Sequence, residues 1–139
     1  MIDLLLVEYG TGADLVFDGN DLVACTGLEN QPYLGMFSDD GSGDYWGNAL
    51  LLAGGVDNEF ISQTEAALRK YALNSSGRLR IDAAINADLQ FLTNDVPGTT
   101  VNVNSVIASD NRLNVTINFN GQTFLMEWNP NTLFLTYSL

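Results

Sequence analysis

Along "RLNVTINFN" apolar and polar residues alternate without error. Leu113, Val115, Ile117 and Phe119 take one face; Asn114, Thr116, Asn118 and Asn120 take the other. A period of two with one wet face predicts an antiparallel strand that packs on a core from one side. Asn120–Gly121 follows, the dipeptide best suited to the positive φ of a two-residue hairpin turn, and it pairs this strand with "QTFLMEW". "TTVNVNSVIAS" comes before it across the turn "SDNR", and "TLFLTYSL" comes after "NPN". The C-terminal region therefore predicts a meander of three or four strands.

Upstream the period changes. Ser62 and Glu65 have the S-x-x-E spacing of a capping box, and Ile61, Leu68, Tyr71 and Ala72 fall on one helical face beyond it. "NSSG" interrupts, with Gly77 suited to a left-handed helix end. A second helix is predicted from about Leu79 to Thr93, with Ile81, Ile85, Leu89 and Leu92 along one side. The two make an antiparallel helical hairpin.

The N-terminal third reads as strand and turn. "LLLVEYG" precedes "ADLVFDGNDLVACTG", where "DLV" occurs twice around "DGN", the two arms of a hairpin rather than an ancestral repeat. "LENQPYLGMFSD" predicts a short helix despite Pro32 and Gly35. The whole predicts an α+β fold: an antiparallel β-meander packed against a two-helix hairpin, with an N-terminal β-hairpin region. A length of 139 residues suits one domain, 1–139, with a core that needs no metal or disulfide staple.

Composition narrows the chemistry. The chain has no histidine, which closes Ser–His–Asp catalysis, Cys–His thiol activation and every histidine metal site. The single cysteine, Cys25, has no partner for an internal bridge. Net charge is −12, and it is one-sided: residues 1–68 carry twelve carboxylates and no Lys or Arg, whereas residues 69–139 carry five charges of each sign. Such a field repels nucleic acid and anionic membrane, and steers a basic protein partner to the N-terminal half. No apolar run is long enough to span a bilayer, and "MIDLLLVEYG" lacks the basic flank of a signal peptide, so synthesis in the cytoplasm is expected.

The stretch "YLGMFSDDGSGDYWGN" holds the densest candidate chemistry, with Asp39, Asp40 and Asp44 in a glycine-rich loop beside Tyr45 and Trp46. As a calcium loop it lacks the glycine and the bidentate Glu of an EF-hand, so neither a metal nor any other cofactor is expected. As a glycosidase it lacks a paired carboxylate with an apolar setting; Glu127, between Met126 and Trp128, points away from both by strand alternation. As an interface it has the aromatic anchors that dominate contact energies where they are exposed, and composition does not separate this from Tyr45 and Trp46 folding back to cover the core. The candidate interface residues are Phe37, Asp39, Asp40, Asp44, Tyr45, Trp46, Phe124, Met126, Trp128, Phe134 and Tyr137. A small acidic binding module, calcium-dependent or not, and a carboxylate-based muramidase-like hydrolase are the two rival readings.

The ordered series "ADLVFDGNDLVACTGLEN", "YLGMFSDD", "YWGN", "ALLL" and "ADLQFLTND", followed by a β region, resembles the small baseplate proteins of Mu-like contractile-tailed phages, the gene product 46 family. That family is related to lysozyme-like wedge proteins that act as sheath initiators. The resemblance covers roughly residues 3–129, and departs in having no basic residue around "YWGN" and "LLLAGG" in place of an aromatic-rich segment. It implies a non-enzymatic virion component of the tail baseplate, assembled in the host cytoplasm. Its implied partners are other baseplate wedge proteins and the tail sheath protein, which receives strands from it. On this expectation the sheath-facing edge lies within the strands formed by residues 122–138, and the acidic N-terminal half faces a wedge protein.

Overall fold

The computed structural model of the protein describes residues 3–10, 13–25, 28–37, 62–95 and 98–138. The meander is there with all four strands: β7 (Val101–Ser109), β8 (Arg112–Phe119), β9 (Gln122–Asn129) and β10 (Phe134–Ser138). Asn120 and Gly121 have φ of 53° and 74°, the left-handed pair that a tight hairpin requires. The alternation read from sequence holds in full. Leu113, Val115, Ile117 and Phe119 are each at most 1% exposed, and they share their face with Phe124, Met126, Trp128 and Tyr137. Each such side chain removed from water contributes about 1.5–3 kcal/mol.

Three helices meet that face: α1 (Gln31–Phe37), α2 (Thr64–Lys70) and α3 (Ser75–Asp95). Met36, Leu68, Ile81, Ile85, Leu89 and Leu92 complete the core from their side. The result is α+β, two layers deep. Among the described residues no helix is long and apolar enough to cross a membrane.

Two local expectations fail, each for a stated reason. The capping box is not formed, because Ser62 donates its hydroxyl to the Gly35 carbonyl at 2.7 Å instead of to the helix. The buried carboxylate of Asp88, on α3, caps α2 from a distance. It accepts the Gln63 and Thr64 N–H groups at 2.8 Å and the Thr64 hydroxyl at 2.6 Å. Nor does Gly77 end a helix in the left-handed region; it lies in the first turn of α3, where Asn74 Oδ1 accepts its N–H at 2.8 Å. Glycine is needed there because a Cβ would collide with the carbonyl oxygen of Ala72. With the N-terminus of α2 tied to Asp88 and its C-terminus beside the start of α3, the two helices are antiparallel, as the sequence predicts.

The N-terminal segment does more than form a hairpin. Strands β2 (Leu6–Tyr9) and β3 (Ala13–Leu15) extend the main sheet, giving the order β3-β2-β10-β9-β8-β7. Two further ribbons pair β1 (Asp3–Leu4) with β6 (Ala24–Cys25), and β4 (Phe17–Asp18) with β5 (Asp21–Leu22). The second is the hairpin expected around "DGN", with Gly19 at φ +63°. All three ribbons leave one junction, closed by a ring of backbone bonds: Leu5 N–H to Val23 O at 3.0 Å, Val23 N–H to Val16 O at 2.9 Å, and Val16 N–H to Leu5 O at 3.2 Å. Each junction residue ends an Asp-Leu-x triplet (Asp3-Leu4-Leu5, Asp14-Leu15-Val16, Asp21-Leu22-Val23). The leucine of each triplet pairs with the residue just after another junction position: Leu4 with Ala24, Leu15 with Leu6, Leu22 with Phe17. The recurrent "DL" thus marks a pseudo-threefold node.

Candidate assembly surface

The register determines where the sheet is open. A two-residue hairpin is closed by a hydrogen-bonded pair, here Phe119 and Gln122. Alternation along β8 then directs the backbone of Asn118, Thr116 and Asn114 toward β7, where they meet Asn102, Asn104 and Val106. The intervening residues of β7, Val101, Val103, Ser105 and Ile107, turn their N–H and C=O groups to the free border. β7 is nine residues long and has one neighbour in the sheet. Such a border is a template for a further strand.

Helix α3 packs along β7, and among the described residues one of its side chains reaches the border. Arg78, in the first turn of α3, brings Nη1 within 3.4 Å of both the carbonyl oxygen and the hydroxyl of Ser105, while pairing with Asp82 at 3.3 Å. A charged side chain over an edge discourages random pairing, and at 3.4 Å it is a weak guard. The outer face beside this edge is polar but almost uncharged. Its register rows read Asn102–Asn118–Thr123, Asn104–Thr116–Leu125–Ser138 and Val106–Asn114–Glu127–Thr136, with Glu127 the one ionisable side chain among them. Val106 and Leu125 stand out on it, 56% and 53% exposed.

The residues singled out from sequence fall elsewhere. Phe124, Met126, Trp128 and Tyr137 are core residues, 0–4% exposed, so their side chains are unavailable to a partner. The physical reason is that they share the inner face with Leu113 and Val115, and the helices cover it. Phe37 is half-buried and packs on Tyr33 with ring centroids 5.1 Å apart. Phe134 begins β10 opposite Asn129. Asp39, Asp40, Asp44, Tyr45 and Trp46 lie outside the described residues, and the calcium-loop reading lies there with them. Among the described residues no group of three or more Cys, Asp or Glu is placed to hold a metal ion.

The expected sheath-facing edge is also corrected. β9 lies between β8 and β10, and β10 lies between β9 and β2. The N-terminal strand seals that border, with Tyr137 opposite Glu8 and Thr136 opposite Tyr9. Glu8 is 6% exposed and ties the seal to α1, accepting the Tyr33 hydroxyl at 3.0 Å and the Gly10 N–H at 3.1 Å. Burial, and then the Glu8 carboxylate, push the Tyr33 phenol well above its ordinary range; burial does the same to Tyr137. Sequence reasoning missed β7 as the edge, although a signal existed. "FLTY" is apolar at three of four positions, as in an interior strand, whereas "VNVNS" has polar residues at three of five.

Comparison with family models, with curated proteins and with solved structures finds no match to this chain.

Proposed function

We propose that this protein is a non-enzymatic structural component of a contractile-tail baseplate, which binds wedge proteins and starts the tail sheath by adding strands at the free border of β7. The observation that carries the reading is that border: four alternate residues of β7, Val101, Val103, Ser105 and Ile107, direct their backbone groups away from β8, on a nine-residue strand with one neighbour in the sheet. Strand addition draws affinity from main-chain hydrogen bonds and needs no pocket. The nearly uncharged outer face supports it too, because neighbouring subunits close on neutral amide and hydroxyl groups without desolvating charge. The resemblance of the ordered sequence series from "ADLVFDGN" to "ADLQFLTND" to Mu-like baseplate proteins supports the baseplate part of the reading. In this role the working site is the virion tail.

The test uses proline on the outward N–H positions. Proline is tolerated on an edge where its missing donor faces solvent, yet it deprives an added strand of its bond. Val103→Pro, with Val101→Pro at the strand's first position as the milder companion, is co-produced with the sheath, tube and wedge proteins of the same gene neighbourhood. The expected result is a folded monomer, assembled baseplates and no sheath in electron micrographs. Sheathed tails of normal yield from a folded Val103→Pro protein refute the role of β7. A gene neighbourhood without spike, wedge or tail-fibre genes refutes the baseplate reading itself.

A further inference from the structure

Two surface features of opposite character remain unused. The first is the β4–β5 hairpin, whose main contacts are between its own two strands. Its tip carries Phe17 at 60% and Leu22 at 41% exposure, register partners whose side chains share one face. The next pair, Asp18 opposite Asp21, puts two exposed carboxylates together on the other face. Like charges placed directly across a ribbon repel, and a cation set against them relieves the cost.

The second is a groove of about 480 Å3 between α2 and α3. Its floor is alanine: Ala66 and Ala67 from α2, Ala83 and Ala84 from α3. Its lip holds Lys70, Tyr71 and Arg80. Arg69 and Arg78 are neutralised by Glu65 and Asp82 on their own helices, at 2.9 and 3.3 Å. Lys70 and Arg80 instead stand over the Tyr71 ring, each 5.4 Å from its centroid. A hydrogen bond from the Arg80 guanidinium, and then the Lys70 charge, hold the Tyr71 phenol below its usual range.

We infer that the α2–α3 groove receives the β4–β5 hairpin of a second copy of this chain, with Phe17 and Leu22 toward the alanine floor and Asp18 and Asp21, on the hairpin's opposite face, met by Lys70 and Arg80 reaching over from the lip. The argument is complementarity in both currencies of recognition. An exposed apolar pair meets a groove floored by small apolar side chains, of which Ala83 is exposed and Ala66 half-buried, and the carboxylate pair meets two cations that no carboxylate among the described residues pairs with. The contact is heterologous, hairpin to groove, so copies add head to tail into a ring or an open array. It stands apart from the strand-addition reading, since it uses neither β7 nor a foreign partner.

Long-range repulsion between copies of net charge −12 opposes the contact and gives it a salt signature. At about 10 mM salt the screening length is about 30 Å and whole-molecule repulsion dominates; at about 150 mM it shrinks to about 8 Å while the contacting pairs persist. Sedimentation velocity on the full chain tests this. The average mass is expected to rise between about 10 µM and about 1 mM at the higher salt, and less at the lower, as suits a small interface. Phe17→Ser and the double variant Lys70→Glu with Arg80→Glu each weaken association about tenfold or more. All three sites are exposed, and an unchanged urea midpoint verifies the fold. Mixing the two variants leaves one intact hairpin facing one intact groove, so the mixture forms a one-to-one dimer and stops there. A wild-type chain that stays monomeric throughout overturns the proposal. So does association indifferent to Phe17→Ser, or a mixture that makes no dimer.

Discussion

Removing the Asp88 carboxylate is the sharpest test of how the helical layer is held. Asp88→Ala strips the acceptor from the Gln63 N–H, the Thr64 N–H and the Thr64 hydroxyl together. Gln63 is exposed, so water replaces its bond. Thr64 is completely buried, so its two donors are left without an acceptor. A hydrogen bond to a charged group contributes about 1.5–3 kcal/mol, and the loss of two at the low end of that range predicts a destabilisation of about 3–4 kcal/mol. That is a large share of the roughly 5–15 kcal/mol that holds a domain together. Asp88→Asn keeps one oxygen acceptor and loses the charge, for about 1–2 kcal/mol. Thr64→Val removes the hydroxyl alone, for about 1 kcal/mol. In urea unfolding the three variants should shift the midpoint in that order at constant slope. Combined with Asp88→Ala, Thr64→Val should cost less than its single value, because the bond it breaks is already gone. A loss below about 1 kcal/mol for Asp88→Ala, or full additivity of the pair, refutes the distal cap.

Other outcomes follow from neighbouring features. Gly77→Ala sets a Cβ against the Ala72 carbonyl, so it should destabilise by about 2 kcal/mol or more in the same titration, although alanine favours helices elsewhere. Gly35→Ala puts its Cβ 2.6 Å from Phe91 Cε1 and 3.1 Å from the Asp88 carbonyl oxygen, and about 1–3 kcal/mol of loss should appear as a lower thermal midpoint. In alkali, Tyr33 and Tyr137 resist ionisation in the folded state, their pKa values lying above the ordinary 10.0. The stability they represent is whole below pH 10 and is lost as the pH climbs past it, because only the unfolded chain releases these protons. Tyrosinate absorbance from these two rings should therefore rise together with the loss of far-ultraviolet circular dichroism; ionisation in a still-folded chain contradicts the buried placement.

How much of this was legible depended on distance along the chain. The β8–β9 hairpin could be read to the residue, since alternation and Asn120–Gly121 are local signals that burial then reinforced. The capping box at Ser62 and Glu65 was equally plausible locally, and it lost to a carboxylate 24 positions beyond Thr64 that no short window contains. The open border was misplaced for the same reason. Pairing of Glu8 with Tyr137 joins opposite ends of the chain, and neither end announces the other. Among the candidate interface residues the error was of another kind. Alternation in "TFLMEW" already put Phe124, Met126 and Trp128 on the face of Leu113 and Val115, yet aromatic identity was weighed above position. The edge of β7 needed knowledge of what covers β10. The guard, Arg78, needed the start of α3, which the "NSSG" break concealed.

The ring of bonds through Leu5, Val16 and Val23 bears on how the N-terminal arms tolerate change. An ordinary ribbon can slide along its neighbour by two residues and keep the same side chains facing inward. Here no arm can slide, because each is clasped on one half by one companion and on the other half by the next. A length change within the paired segments between residues 3 and 25 is therefore felt by all three arms at once, and the turns that close the β2–β3 and β4–β5 ribbons are the natural places for insertions to accumulate.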